Sequence, residues 1–283
     1  MSGRSQCAIK HTILSIQSEV VRGHVGNSVA RFALRRTGFD VWALPTVILS
    51  NHPGHGHSQG DTIEPKSIVG LFEGLARNGW ISEIDGVLSG YLGHPEQAAI
   101  IAGIVRRVKA ANPKALYLCD PVFGDDDGAY AKPGVAEAMA RELVPLADIV
   151  APNRFELSSL TSQRIGSPSD AVRAARLLGV PEVLVTSVPN DGGLANVVVN
   201  RQGAWCAAVQ RLDAVPHGTG DMLSALYLGA RTAGDEPASA LQYAVSRVQS
   251  LIVASVGRDE LQLIPAQDIL VTPSEQVSVT PLS

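Results

Sequence analysis

Cysteine is scarce. The chain has three in 283 residues, Cys7, Cys119 and Cys206, with no CxxC pair among them, and an odd number cannot all pair with one another. A disulfide framework and a cysteine-based zinc site are therefore not expected. Charge is sparse as well: Asp, Glu, Lys and Arg make up 18% of residues and the net charge is −4. Without a basic surplus, broad attraction to nucleic acid or to an anionic membrane is not expected. No apolar run approaches the roughly 18 residues of a membrane span, and the start, with Arg4, Lys10 and His11, has no signal-like apolar stretch. The expected address is the cytoplasm. Two nucleotide signatures are also missing. There is no GxxxxGK[ST], which excludes a P-loop, and no GxGxxG after the first apolar run, so a dinucleotide-dependent oxidoreductase is not expected.

What is present suits a compact enzyme. Apolar residues reach 45%, enough to bury a large core, and residues 1–283 are read as one α/β domain. Short β-rich runs at Thr12–Ile16, Val41–Leu44, Gly86–Ser89, Leu116–Cys119, Ile149–Ala151 and Val183–Thr186 alternate with helical patterns. That alternation predicts a mostly parallel sheet. Apolar residues at three-to-four spacing predict helices over Gly26–Arg36, Lys66–Arg77, Pro95–Ala111, Gly134–Leu143, Ser169–Leu178, Thr219–Thr232 and Pro237–Val256. Leu194–Val199 and Ala204–Val209 flank a turn-rich Asn200–Gly203 and predict an antiparallel hairpin at the sheet edge. The polar tail from Pro273 is expected to fray.

In a doubly wound sheet, ligands sit beyond the carboxyl ends of the strands. Polar clusters fall there: Gln17-Ser18, Asp120, Asn153 and Thr186-Ser187. Each of them alone also fits an Asx turn, a helix cap or a β-bulge. The most informative stretch is Gly218-Thr219-Gly220-Asp221, directly before an apolar helical segment. Glycines let backbone N–H groups approach an anion, and the positive end of the helix dipole adds to them. Phosphate is the natural guest, and Asp221 stands where an attacking hydroxyl must lose its proton. The same tetrapeptide would also serve as a plain helix cap. A Gly- and His-rich stretch, His52-Pro53-Gly54-His55-Gly56-His57, reads as a mobile loop over a ligand; its histidines lack a regular scaffold to aim them at zinc.

Seven blocks then match one family in order: Ile16-Gln17-Ser18, Gly23–Ser28, Ser50-Asn51-His52, Leu88–Gly93, Cys119–Asp125, Ala151–Leu157 and Gly218–Asp221. Together they closely resemble the pyridoxal kinases of the ribokinase-like superfamily, from about Thr12 to Ser255. The resemblance implies an αβα sandwich and a homodimer that uses ATP and Mg²⁺, with room for a monovalent cation. It implies that Asp221 is the base for the 5′-hydroxymethyl group of a B6 vitamer, with Gly218, Thr219 and Gly220 forming the anion hole. Ser18, Thr46, His52 and Tyr91 match substrate-pocket positions. Asp120, Asp125, Asn153, Thr186 and Ser187 match positions near the nucleotide, and Asp120 and Glu156 match positions near the metal, Glu156 acting through water.

The chain also departs from the family. After Ser-Asn-His, members commonly continue Thr-Gly-Tyr-Gly with a Trp further on, whereas this chain reads Pro53-Gly54-His55-Gly56-His57-Ser58. Glu19 and Arg22 stand where His and Tyr are frequent. These changes leave the catalytic blocks intact and bear on vitamer preference. A hydroxymethylpyrimidine kinase of the same fold and a non-catalytic B6-binding protein are the alternatives; an intact Asp221 favours a kinase over the latter.

Overall fold

Alternation within single strands organises this molecule into three layers. The computed structural model describes residues 11–282, so Arg4, Cys7 and Lys10 lie outside the described residues. The strands are β1 (Thr12–Val20), β2 (Asp40–Leu49), β3 (Gly60–Thr62), β4 (Ile84–Ser89), β5 (Leu116–Cys119), β6 (Gly124–Asp125), β7 (Gly128–Ala129), β8 (Ile149–Val150), β9 (Glu182–Asn190), β10 (Gly193–Asn200), β11 (Ala204–Val209) and β12 (Val279–Leu282). The helices are α1 (Asn27–Arg36), α2 (Pro65–Arg77), α3 (Glu96–Ala111), α4 (Val135–Glu142), α5 (Arg154–Thr161), α6 (Pro168–Leu177), α7 (Thr219–Thr232) and α8 (Pro237–Ser255).

Among the described residues, ten strands form one sheet in the order β12-β11-β10-β9-β8-β5-β4-β1-β2-β3. The pairs from β2 to β9 are parallel, while β3 and the β9–β12 edge pair antiparallel. Successive side chains in a strand point to opposite faces. Ile13, Leu118, Leu184 and Val198 accordingly join a core with α1, α7 and α8. Their neighbours Leu14, Tyr117 and Cys119 meet α2, α3 and α4 on the other face, and Val183, Val185 and Val197 meet α5 and α6 there. Helices on both faces explain why these strands read as continuous apolar runs. The expected ribokinase-like αβα sandwich is the observed fold, with β10–β11 as the antiparallel hairpin.

Strand β1 lies between β4 and β2, so the chain winds in opposite directions on its two sides. Such a switch point opens a crevice at the carboxyl ends of the strands. Helix α7 points its start at that end. Its residues from Met222 to Ala230 are all buried, which fixes it against the sheet.

Three expectations need correction. The tail does not fray: Val279–Leu282 pairs with β11, and Val277 N–H donates to Ser246 Oγ at 3.0 Å. The stretch after Ser50 is not structureless, because Pro53–His55 forms a 3₁₀ turn and Gly60–Thr62 pairs with β2. Its ends are tied by Ser50 N–H to Gln59 O at 2.7 Å and by Ser58 Oγ to Asn51 O at 2.8 Å. Helix α5 was not anticipated, since Arg154–Thr161 carries too few apolar residues for a helical stripe. Its signal was the capping box Asn153-x-x-Glu156.

Candidate active site

Gly218 starts helix α7 in the left-handed region, φ 98°, and no side chain caps the helix. A bare helix N-terminus leaves donor N–H groups for a ligand and carries a partial positive charge. Asp221, in the first turn, does not turn back to cap its own helix. Its Oδ2 accepts instead from Gly26 N–H at 2.9 Å, across the gap to the loop between β1 and α1. A plain capping role for the tetrapeptide is thereby set aside. Gly26 is needed at that close approach, because a Cβ there would sit 2.2 Å from Ser18 Oγ, with φ at 55°.

Around this point lies a cavity of about 560 Å³. Asp221, Gly218 and Gly220 line it on the helix side. Ser18, His52, Tyr91, Asp120, Asp125, Asn153, Glu156 and Thr186 also line it. Strand ends and the loops that follow them deliver these side chains. A wider hollow of about 760 Å³ between β11, α8 and the tail contains none of the sequence-derived candidates.

Three candidates do not reach the cavity wall. Thr46 is fully buried and donates its hydroxyl to Tyr91 O at 2.6 Å, so it braces the Tyr91 backbone instead of facing the cavity. Ser187 is exposed with φ 58°, in the part of β9 where the register with β10 shifts. This is the β-bulge, and only Thr186 beside it lines the cavity. The Thr219 side chain is not among the lining groups.

Asn153 and Glu156 line the cavity while building their own helix start. Asn153 Oδ1 accepts from Glu156 N–H at 2.9 Å, and Glu156 Oε2 accepts from Asn153 N–H at 2.8 Å. Glu156 Oε1 also accepts from Phe123 N–H at 3.1 Å, and Asn153 Nδ2 donates to Gly124 O at 2.7 Å. Both residues thus tie α5 to the β6–β7 turn that carries Asp125.

Electrostatically the site is crowded with carboxylates. Burial, and then the charge of Asp221, pushes Asp120 up to about 8, partly opposed by Ser224 Oγ donating to Asp120 Oδ2 at 2.7 Å. Burial raises Glu156 well above the usual carboxylate range, with Asp120 adding to it. Asp221 is raised by burial and held back by the Gly26 N–H. Hard oxygen donors that repel one another in a desolvated hollow fit a hydrated divalent cation such as Mg²⁺. Among the described residues Asp120 Oδ1 makes no hydrogen bond and could face a cation directly, whereas Glu156, with both oxygens engaged, fits contact through water.

A test follows from the sign of the Asp120 shift. Between about pH 4 and 8 the folded state keeps a proton that the unfolded chain has lost, so this group makes stability fall as pH rises through that window. Asp120→Asn cannot ionise. In thermal melts of ligand-free protein, the variant is expected to lose that slope and melt at least about 3 °C above wild type at pH 8. A variant that melts lower at pH 8 and keeps the wild-type slope would contradict the assignment.

Some of the lining was not anticipated from sequence. Ser224 lies three residues after Asp221, one helical turn on, so helical spacing alone could have found it. Tyr130, which lines the cavity from beyond the β6–β7 turn, carried no pattern. His217 also lines it, and its ring stacks on that of His52 with centroids 3.9 Å apart.

Comparison with known proteins identifies the family. The family model described as phosphomethylpyrimidine kinase matches residues 82–263. A "Pyridoxal kinase PdxY" of Paraburkholderia phymatum is 39% identical over 274 residues, covering 93% of this chain and 96% of that protein. One from Burkholderia pseudomallei is 40% identical with the same coverage. The structure of pyridoxal kinase from Leishmania donovani in complex with ADP and pyridoxamine superposes with a TM-score of 0.91 at 32% identity, covering 97% of this chain and 100% of that one. Full-length likeness in sequence, together with a shared fold, places the chain in the pyridoxal kinase family.

Proposed function

We propose that this chain is an ATP-dependent kinase of one domain that phosphorylates the 5′-hydroxyl of pyridoxal, accepting pyridoxine and pyridoxamine as related substrates. The observation that carries this reading is the uncapped Gly218-Thr219-Gly220 helix start, with Asp221 beside it in one cavity with Ser18, His52 and Tyr91. Asp221 takes the proton from the attacking hydroxyl; its raised pKa brings it nearer the operating pH, as a base needs. Backbone amides at Gly218–Gly220 hold charge that develops on the transferred phosphoryl group. Tyr91 offers a ring face to the pyridine, and Ser18 and His52 offer hydrogen-bonding groups.

Asp120 and Glu156 would hold Mg²⁺, which when bound neutralises phosphate charge. Asp125, Asn153 and Thr186 stand along the nucleotide side; Ser187, exposed on the bulge, would reach phosphate only through its backbone. A monovalent cation and a homodimer belong to the same proposal and rest on the family resemblance, and a cytoplasmic address belongs to it on the sequence reading; among the described residues, no helix is long and apolar enough to cross a membrane.

The neighbouring reading, a hydroxymethylpyrimidine kinase, uses the same anion hole and differs in the acceptor. ATP consumption with pyridoxal, pyridoxine, pyridoxamine and hydroxymethylpyrimidine side by side separates them. The expected result is turnover with pyridoxal at least about tenfold above hydroxymethylpyrimidine, the scale set by one or two polar contacts in the pocket. The reverse order would overturn the assignment of substrate.

A further inference from the structure

No described residue lining the cavity is Lys or Arg, whereas Asp120, Asp125, Glu156 and Asp221 all do line it. A nucleotide would bring several more negative charges to the same hollow. The helix end offers only about half an elementary charge against them. Among the lining side chains, those able to become cationic near neutral pH are two imidazoles, His52 and His217.

The two rings are not equivalent. His52 Nδ1 accepts from Gly54 N–H at 3.1 Å, which fixes that nitrogen as an acceptor and the ring as neutral. Burial, with His217 and His55 nearby, pushes His52 down to about 4. His217 makes no hydrogen bond among the described residues, is exposed to the cavity, and immediately precedes Gly218. A Cβ at Gly54 would fall 2.6 Å from its Nε2, so glycine there leaves room for the ring. Burial and three neighbouring groups set its charge state: burial and His55 disfavour the cation, while Asp125 and Glu260 favour it. The balance lowers its pKa, which leaves the ring neutral near neutral pH and within reach of an added anion's influence.

We propose that His217 takes up a proton when a nucleotide's phosphate chain enters, and becomes the cationic hydrogen-bond donor beside the Gly218–Gly220 amides. This rests on the kinase reading of the site. The proton comes from solvent and adds to a free imidazole lone pair; no bond to phosphorus forms or breaks. The neutral His52 ring at 3.9 Å supports one face of the imidazolium, so the charge faces the cavity and not a second cation. His217 thereby orients phosphate, and proton transfer from the acceptor hydroxyl stays with Asp221.

Imidazole ¹⁵N spectra of the full chain, titrated from pH 5.5 to 8.5 without and with saturating ADP and excess Mg²⁺, read this directly. The His217 signals are those that vanish in His217→Gln. Without ADP the titration midpoint is expected below 6.5; with ADP it is expected to rise by at least about one pH unit, a shift typical of a new opposite charge within a few ångströms. In steady-state assays at pH 6.5, His217→Gln is expected to raise the KM for ATP about tenfold, the loss of one charge-assisted hydrogen bond, with the KM for pyridoxal changed much less. His217→Arg should restore the ATP KM and flatten its pH dependence. An unshifted His217 midpoint while other signals report ADP binding would overturn the proposal and leave the kinase reading standing. Absence of ADP binding by every signal would overturn both.

Discussion

Asp221→Asn will fold, bind nucleotide and turn over at least about 10²-fold more slowly than wild type, because an amide of nearly the same shape cannot accept the hydroxyl proton. The fold is expected to survive for a local reason. Asparagine keeps a carbonyl oxygen that can accept from Gly26 N–H, the contact that ties α7 to the β1–α1 loop. The substitution also removes a charge that presses on Asp120, so the melting temperature of the ligand-free protein should not fall. Single-turnover rates with pyridoxal, set beside ADP affinity, check both halves. Turnover within a few-fold of wild type would remove Asp221 as the base.

Gly218→Ala is the second large effect, and it acts through the backbone. At φ 98° an L side chain is strained, and a Cβ would stand 1.9 Å from the carbonyl oxygen of His24. That atom is main chain, so relief needs the Gly23–Gly26 loop to move, and Gly26 carries the hydrogen bond to Asp221. A cost of roughly 2 kcal/mol or more is expected, which at this chain length lowers the melting temperature by about 5 °C or more. Turnover should drop at least about 10²-fold, since anion hole and base shift together. Gly220→Ala is the control. Nothing lies within 4 Å of a Cβ there and its φ is not positive, so its melting temperature should stay within about 2 °C of wild type. Equal destabilisation by the two substitutions would contradict this account.

The parts of the fold set by periodicity were legible in the sequence. Helix α7 and strands β5 and β11 begin and end where spacing and β-propensity placed them. Strands β1 and β2 run several residues further than their apolar runs, and Ser18, Val20 and Leu49 in those extensions are cavity wall; β9 is extended by its antiparallel pairing with β10. Helix α5 stayed hidden because its stability comes from the Asn153–Glu156 box and not from an apolar stripe. In the site, motif residues next to a strand end were readable one by one. Which way each side chain turns was not: Thr46 looks inward to Tyr91 O, and Ser187 sits on a bulge that only the β9–β10 register creates. His217 escaped notice because a ring stack across two loops leaves no trace in spacing.

Four carboxylates facing one hollow have a consequence for the life of the folded chain. Asp221 presses on Asp120 and Asp120 on Glu156, a standing cost to the fold that a bound divalent cation would relieve. Occupancy and folded population are then one equilibrium: at a ligand concentration 100 times Kd, the native state gains about 2.7 kcal/mol, comparable with a sizeable share of what holds a domain together. Substrate supply therefore acts as a determinant of how much of the chain survives proteolysis, since cleavage draws on the opened fraction that ligand depletes.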